Sequence, residues 1–525
     1  MKLSLVMIVR DEAEMAPAFL ESVRGLWDEL IVVDTGSNDG TQQLFRDGGA
    51  KVLSFSWIND FAAARNVSLA HATGDWVLVL DADERVSADF IAAFRARIAD
   101  PRVGALTLLV SNQLPYGHRR ESYVLRAWRH SPTVRFRHAI HEDPSDDVKA
   151  MLAERGLVAQ QLEVPVEHLG YVRTRAAAKD KKARDTVLLR ACLDANPFDF
   201  YSRLKLLELA RYWQDETSWC AEARAATDAL ELAGRHVLRD APWAGELLSL
   251  IAEGLFPLTD PSALVFLDGW EALVPPSAAF FLRRGVFREH QGRYPEARAD
   301  FEACQRTGEV SGDVQLTMVR PSLGLARIAL EQGQPTAALQ HAARALEVGP
   351  RDPEALMAVA SLTRHLLGAA ALQKWEDEQR GITPSCPERD WAVGEAHFST
   401  GDHRAAATSF RSASGVPPSG AAALRLAQCL LACGQVSQSE ALARQLVASH
   451  PEAGLGLLLF DLANGRDTDL DLDLSPEAAH AAFRIWVDVL IASRQRSLIR
   501  KVRARAGAVA TIFPWLAAYL LKKSA

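Results

Sequence analysis

The pattern of apolar residues changes near residue 175, and this change constrains the fold more than any other feature of the chain. Before it, short β-branched runs alternate with stretches of helical periodicity. The runs predict strands at 3–9, 30–34, 51–55, 76–81 and 105–111, with helices at 14–24, 61–70 and 88–98. Strands that alternate with helices in this way indicate βαβ units and a mainly parallel sheet.

After residue 175, Ala, Leu and Arg dominate with helical periodicity, which predicts an all-helical region. Similar segments begin at Gly292, Gly333, Gly401 and Gly434. Gly333, Gly368, Gly401 and Gly434 are 35, 33 and 33 residues apart. This spacing resembles that of tetratricopeptide repeats, which are helix pairs with a period of about 34 residues. The segment at Gly368 lacks most of the pattern, so its assignment as a repeat stays open.

A chain of 525 residues is too long for a single hydrophobic core. We expect an α/β domain over 1–170 and a helical linker or degenerate repeats over 171–280. Repeats resembling tetratricopeptide repeats follow over 281–465, with a C-terminal helical cap over 466–525.

Composition excludes several classes of protein. The net charge of −7 argues against a nucleic-acid-coating protein. The six cysteines form no CxxC pair, which fits a reducing cytoplasm.

The apolar start of the chain lacks a cleavage site and predicts a strand, not a signal peptide. The apolar stretch 508–521 is shorter than the roughly 20 residues that span a bilayer, so no transmembrane helix is expected.

Acidic residues follow two of the predicted strands. Asp81 ends the strand at 76–81 and Asp83 follows it, while Asp34 ends the strand at 30–34. Ligands of parallel sheets bind at the carboxyl ends of the strands. Two carboxylates one residue apart can converge on Mg²⁺ or Mn²⁺, which would bridge a diphosphate. Ser37 or Asp39 can cap the helix that follows.

Four segments carry a family resemblance. They are MIVRDE at 7–12, VVDTGSNDGT at 32–41, WINDFAAARN at 57–66 and GDWVLVLDADE at 74–84. In this order and spacing they resemble a family 2 glycosyltransferase with a GT-A fold, covering about residues 1–170. The resemblance implies an inverting enzyme that uses a nucleotide-sugar donor and Mn²⁺ or Mg²⁺.

The resemblance also implies roles for individual residues on the donor side. These residues are Arg10, Glu12, Asp34, Arg65, Asp81 and Asp83. Asp34 would contact the base or ribose, and the segment around Arg10 would line the same pocket. Arg65 would approach the nucleotide or its diphosphate, although Arg65 and Asn66 could equally form a helix surface. Asp83, with Asp81, would hold the metal and the sugar phosphate.

Two departures from the family narrow the expectation. Thr35 stands where many members have a second acidic residue, so the nucleotide base is not assigned. The chain also lacks the QxxRW motif of processive synthases, which favours a single transfer over polymerisation.

The acceptor side is predicted at residues 135–144. An inverting transfer needs a base for the acceptor proton, and Glu142 is the candidate, with Asp143 as its rival. His141 is a candidate third metal ligand or orienting group, and a packing histidine is the alternative. After this segment, Glu167 and His168 precede a basic stretch at 173–184, which is either a solvated helix start or a flap over the diphosphate. For Arg126 and Arg129 the sequence leaves two roles open, a structural one and binding of the diphosphate.

The helical half suggests how an acceptor is recruited. Stacked helix pairs present a concave face suited to an extended peptide, so we expect a protein or peptide acceptor. Homodimerisation or scaffolding is the alternative for this region. An envelope-glycan transferase and an inactive repeat scaffold are the alternatives for the whole chain. The basic stretch 494–505 precedes the apolar 508–521, which indicates either a peripheral membrane contact or a helix that caps the repeats.

Overall fold

The computed structural model describes residues 1–113, 119–169, 175–307, 312–313, 315–415, 420–466, 474–505 and 518–519. The chain divides into two compact units, Met1–Gly324 and Leu325–Ala525, and each is described by itself. The four-part division expected from the sequence stays a prediction. Residues 170–174, which include Arg173 of the basic stretch, and most of the apolar segment 508–521 lie outside the described residues.

The first unit contains a mixed β-sheet. Its described strands are β1 (Leu3–Val9), β2 (Glu29–Asp34), β3 (Lys51–Ser54), β4 (Trp76–Val79), β5 (Glu84–Arg85), β6 (Val103–Gln113), β7 (Arg119–Arg129), β8 (Val158–His168) and β9 (Gly312–Asp313). The strand order is β3-β2-β1-β4-β7-β6-β8-β5, and β9 pairs with β7. The α/β domain with a GT-A fold that the sequence predicts is confirmed.

The expectation of a mainly parallel sheet is correct for only part of it. Strands β3, β2, β1 and β4 are parallel, as are β6 and β8. Strand β7, however, lies antiparallel between β4 and β6. Five residues separate Gln113 from its pairing partner Arg119, which is too short for the crossover that a parallel pair requires.

Helices cover both faces of this sheet. They are α1 (Ala16–Ser22), α2 (Thr41–Asp47), α3 (Phe61–Ala70), α4 (Ala88–Ile98) and α5 (Ser145–Arg155). Leu5 and Met7 of β1 pack in one apolar cluster with Phe19 and Phe90, while Val6 packs in another with Ala62. Burial on both faces explains why β1 is a continuous apolar run.

Apart from strand β9, the described remainder of the first unit is helical, as predicted. Its helices are α6 (Arg175–Ala195), α7 (Phe200–Tyr212), α8 (Glu216–Ala233), α9 (Ala244–Leu255), α10 (Ser262–Asp268), α11 (Ala278–His290) and α12 (Tyr294–Arg306), and α13 (Arg320–Glu331) crosses into the second unit. Asp199 caps α7 by accepting a hydrogen bond from the backbone N of Ser202 at 3.1 Å.

The second unit continues with helix pairs. Its helices are α14 (Pro335–Val348), α15 (Pro353–Leu367), α16 (Ala369–Ile382), α17 (Pro387–Ser399), α18 (His403–Ser414), α19 (Gly420–Ala432), α20 (Val436–Leu446), α21 (Glu452–Asn464), α22 (Pro476–Ala492) and α23 (Arg496–Ala504). Among the helices described in either unit, none has the length and apolar character needed to cross a membrane.

The repeat pattern corresponds to this pairing of helices. Gly401, between α17 and α18, has φ of 79°, a left-handed conformation that glycine adopts without a steric penalty. Gly368, left open by its sequence, occupies the same kind of corner between α15 and α16, with φ of 88°. Within one pair, a Cβ on Gly394 would lie 2.6 Å from the ring of Phe410, so the helices cross closely where the side chain is absent.

Candidate active site

The polar residues that follow the parallel strands lie at one edge of the sheet. Val9 of β1 pairs with Asp34 of β2, and Val6 of β1 pairs with Val79 of β4. Arg10 and Asp81 follow the ends of β1 and β4 on this same edge. The register therefore brings together the strand ends that the sequence selects as a ligand-binding edge.

Asp34 is buried, at 1% exposure, and its carboxylate organises the loop that follows β2. Its Oδ2 accepts hydrogen bonds from the backbone N of Gly36 at 3.0 Å and of Ser37 at 3.1 Å. Gln42 Nε2 donates to the same oxygen at 2.8 Å. Asp34 thus shapes the loop from within, and its contact with the base or ribose stays a prediction.

The loops after β1 and β2 are tied to each other. Asp39 Oδ1 accepts a hydrogen bond from the backbone N of Thr41 at 3.1 Å, at the start of α2. Thr41 Oγ1 accepts one from the backbone N of Glu12 at 2.7 Å. Arg10 is exposed and lies 3.8 Å from Asp11. The N-cap residue of α2 is Gly40, not Ser37 or Asp39 as expected, and Asp39 stabilises the turn before the helix. Arg10 is accessible to a ligand.

A network of ion pairs lies behind this edge. Arg65 donates from Nε to Glu142 Oε1 at 2.5 Å and from Nη2 to Asp81 Oδ1 at 3.0 Å. Arg126 lies 3.4 Å from Asp81 Oδ2 and donates to Glu84 Oε1 at 3.1 Å. Both oxygens of Asp81 are thus engaged by arginines. The network links the DxD segment to the acceptor-side segment, 61 positions further along the chain, that contains Glu142.

Charge and burial act in opposite directions on these carboxylates. Burial disfavours ionisation of Asp81, but the guanidinium groups of Arg65 and Arg126 outweigh it and hold the pKa of Asp81 below its usual value. Burial raises the pKa of Glu84, which Arg126 opposes. Asp81 is therefore a fixed anion that does not exchange protons near neutral pH.

Arg65 and Asn66 are not a helix surface, which was the alternative open from the sequence. Arg65 is 7% exposed, and its Nη1 has no hydrogen-bond partner among the described residues. Asn66 pairs with both backbone groups of Phe136, donating from Nδ2 to its O and accepting from its N, each at 2.9 Å. Together the two residues attach the acceptor-side segment to α3.

Asp83 lies beside His168, a residue that the sequence did not identify as part of the site. His168 Nε2 is 3.4 Å from Asp83 Oδ2, and its Nδ1 is 2.6 Å from Asn112 Oδ1. The pairing of β5 with β8 creates this contact, since Glu84 is opposite His168. A signal was present in the sequence, because His168 has the same parity along β8 as the buried Leu162 and Val166.

The remaining acceptor-side candidates lie on the loop before α5. Asp143 Oδ1 accepts hydrogen bonds from the backbone N of Ser145 at 2.9 Å and from its hydroxyl at 2.5 Å. The side chain of His141 makes no hydrogen bond or ion pair with Asp81 or Asp83 in the part of the chain that is described. The described residues also contain no group of three or more His, Cys, Asp or Glu side chains placed to hold a metal ion.

Arg126 and Arg129, whose roles the sequence leaves open, make different contacts. Arg126 belongs to the ion-pair network. Arg129 donates from Nε to the backbone O of Val103 at 2.8 Å, and its guanidinium lies over the ring of Trp76. Arg129 is therefore a structural residue that joins β7 to the start of β6.

Comparison with known proteins agrees with this architecture. The model of glycosyl transferase family 2 matches residues 4–151. Two models of the tetratricopeptide repeat match residues 323–376 and 397–458. The first of these includes Gly368 and so supports its assignment to a repeat.

Three curated relatives share part of the chain. A TPR repeat-containing protein of Synechococcus elongatus is 39% identical over 212 residues, which are 39% of this chain and 51% of that protein. The SPbeta prophage-derived glycosyltransferase SunS of Bacillus subtilis is 26% identical over 210 residues, 38% of this chain and 49% of that one. An uncharacterized glycosyltransferase of Rickettsia felis is 34% identical over 86 residues, 16% and 30% of the two chains.

The chain spans about half the length, or less, of these relatives. The segments that the family models match nevertheless lie within the sheet domain and within the helix pairs described above. The chain therefore contains a glycosyltransferase family 2 domain with the GT-A fold, followed by tetratricopeptide repeats.

Proposed function

We propose that the protein transfers a sugar from a nucleotide-sugar donor to a protein or peptide acceptor, with inversion at the anomeric carbon and with a divalent cation. The observation that carries the proposal is the arrangement of Asp83 and His168 beside the Arg65–Asp81–Glu142 network. It combines a cation-binding pair with a carboxylate that can take a proton. The cytoplasmic location expected from the cysteines remains a prediction.

The residues present fit a divalent cation in a different set from the one expected. Asp81 is a poor ligand because both of its oxygens already accept from arginines. Asp83 and His168 would hold the ion: His168 Nε2 lies 3.4 Å from Asp83 Oδ2, and a cation that replaces the Nε2 proton would be bound by both side chains. A bound Mn²⁺ or Mg²⁺ would supply positive charge to the departing diphosphate. Among the described residues, His141, expected as a ligand, has no contact that supports this role.

Glu142 is the proposed base for the acceptor. Its Oε1 is held by Arg65, while Oε2 has no hydrogen-bond partner within the described segments and can accept a proton. Arg65 fixes the direction of the carboxylate through Oε1 alone. A single displacement of the diphosphate by an acceptor that Glu142 deprotonates would give inversion.

The donor side of the proposal predicts ligand-induced stabilisation. With Mn²⁺ present, one nucleotide sugar of a panel is expected to raise the Tm of the full-length chain, because it binds the native state alone. At a donor concentration of 100 times Kd the stabilisation is about 2.7 kcal/mol. Thermal shift across the panel, with EDTA as the control, measures it. If no nucleotide or nucleotide sugar shifts Tm with any divalent cation, the donor assignment is wrong.

The acceptor side predicts where a labelled sugar is found. The tetratricopeptide repeats support a protein or peptide acceptor, because stacked helix pairs bind extended peptides along one face. Labelled donor and the full-length protein are added to a cell extract, which is then separated into protein, lipid and polysaccharide fractions. We expect the label in the protein fraction, from which protease should release it. The Asp83→Ala variant should incorporate no label. Label confined to lipid or polysaccharide would establish the envelope-glycan alternative, and no product at all would favour the inactive scaffold.

A further inference from the structure

The loop that carries Glu142 has an unfavourable backbone conformation. His138 has φ of 67° and His141 has φ of 56°, both in the left-handed region that non-glycine residues rarely adopt. Such residues persist only where the surroundings hold them. The position of Glu142, directly after His141, therefore depends on whatever packs against this loop.

Helix α7 packs against this loop from the helical part of the same unit. Tyr201, which is 7% exposed, donates its hydroxyl to the backbone O of His141 at 2.8 Å. The ring of His138 stacks on that of Tyr201, with centroids 3.8 Å apart and planes 19° from parallel. Lys205 Nζ lies 5.1 Å from the Tyr201 ring centroid. One tyrosine thus contacts both left-handed residues.

The loop is fixed on its other side as well. The backbone N of Phe61, at the start of α3, donates to the backbone O of Ala139 at 2.7 Å. Ile140 is buried in an apolar cluster with Leu189 and Leu206 of the helical segment. The loop therefore lies between α3 of the sheet domain and α6–α7, which follow the 4–151 segment matched by the family model.

We infer that Tyr201 is a positioning residue for Glu142: its hydroxyl holds the carbonyl of His141 and so directs the next side chain toward Arg65. This role rests on the proposed function. Burial raises the pKa of Tyr201, so the hydroxyl stays protonated and remains a donor throughout the neutral range. The helical segment is then part of the catalytic unit as well as a connection to the repeats.

Tyr201→Phe tests this role because it removes the hydroxyl and keeps the stacked ring. We expect kcat for transfer to fall roughly 10- to 100-fold, since a displacement of about 1 Å has effects of this size. The KM for the donor and the donor-induced shift in Tm should not change. Tyr212→Phe is the matched control, because Tyr212 lies on the same helix and is 51% exposed. Its kcat should equal that of the wild type.

A double variant separates positioning from a general structural effect. If Tyr201 acts through Glu142, then Tyr201→Phe lowers kcat in the wild-type background and has little further effect in the Glu142→Gln background. An equal fold-loss in both backgrounds, or a kcat for Tyr201→Phe equal to that of Tyr212→Phe, would overturn the inference. Absence of transfer by the wild-type protein would overturn the proposed function and this role with it.

Discussion

Asp83→Ala is expected to abolish sugar transfer, with a loss in kcat of about 10²–10³ or more, while the protein stays folded. Losses of this size follow when one electrostatic partner of the transition state is removed. In the proposed mechanism Asp83 and His168 would hold a cation, which would supply positive charge to the leaving diphosphate. The structural cost is small, because the Asp83 side chain is partly exposed and its ion pair is the 3.4 Å contact with His168.

The comparison needs transfer, stability and cation binding on the same preparations. Turnover is measured with Mn²⁺ and the donor identified by thermal shift, and Mn²⁺ binding is measured separately by calorimetry. Asp89→Ala is the matched control, since Asp89 is an exposed aspartate nearby in the sequence, in the first turn of α4. It should behave as the wild type in each measurement. Equal turnover by Asp83→Ala and Asp89→Ala would refute the assignment of Asp83 to the cation.

The two aspartates of the DxD segment thus have different surroundings. Asp81 is an anion fixed between Arg65 and Arg126, and it joins β4 to the acceptor-side loop. Asp83, two residues on, points to β8 and to His168. Sequence alone assigns both to the metal, because spacing along a strand end does not reveal which carboxylate is already neutralised by a partner from another element.

Strands β1, β2 and β4 could be predicted because they are buried on both faces and therefore form continuous apolar runs. Strand β1 and helices α3 and α4 have the bounds that their sequence patterns predict. Strands β7 and β8 were not predicted, because they carry charged and polar residues among the apolar ones and lack a continuous β-branched run. Their addition makes the sheet mixed, and β8 contributes His168.

The residues of the candidate site likewise divide into those that the sequence predicts and those that it misses. Asp34, Asp81 and Asp83 were found because they follow apolar strands, and Arg65 because it belongs to a family motif. The contact of His168 with Asp83 depends on the pairing of β5 with β8. The hold of Tyr201 on His141 depends on packing between residues 60 positions apart. The parity of His168 along β8 shows which face of the sheet it lies on, but no local pattern reveals either contact partner.

Glu142→Gln is expected to lower kcat by about 10²–10⁴, the range that general-base catalysis contributes. The amide keeps the shape of the side chain, and its oxygen can still accept from Arg65 Nε, so the loop should remain in place. An amide nitrogen cannot take the acceptor proton. Donor binding, measured by thermal shift with Mn²⁺, should therefore be unchanged while transfer is lost.

Asp143→Asn is the control for this variant, because it makes the same chemical change at the adjacent residue. Asp143 accepts hydrogen bonds from Ser145 at the start of α5, and asparagine supports such turns nearly as well. Its kcat should stay within about twofold of the wild type, and its stability within about 1 kcal/mol. The reverse result, with transfer lost in Asp143→Asn and retained in Glu142→Gln, would identify Asp143 as the base. Arg65 would then serve to bind Glu142 as a structural anion, in the same way that it binds Asp81.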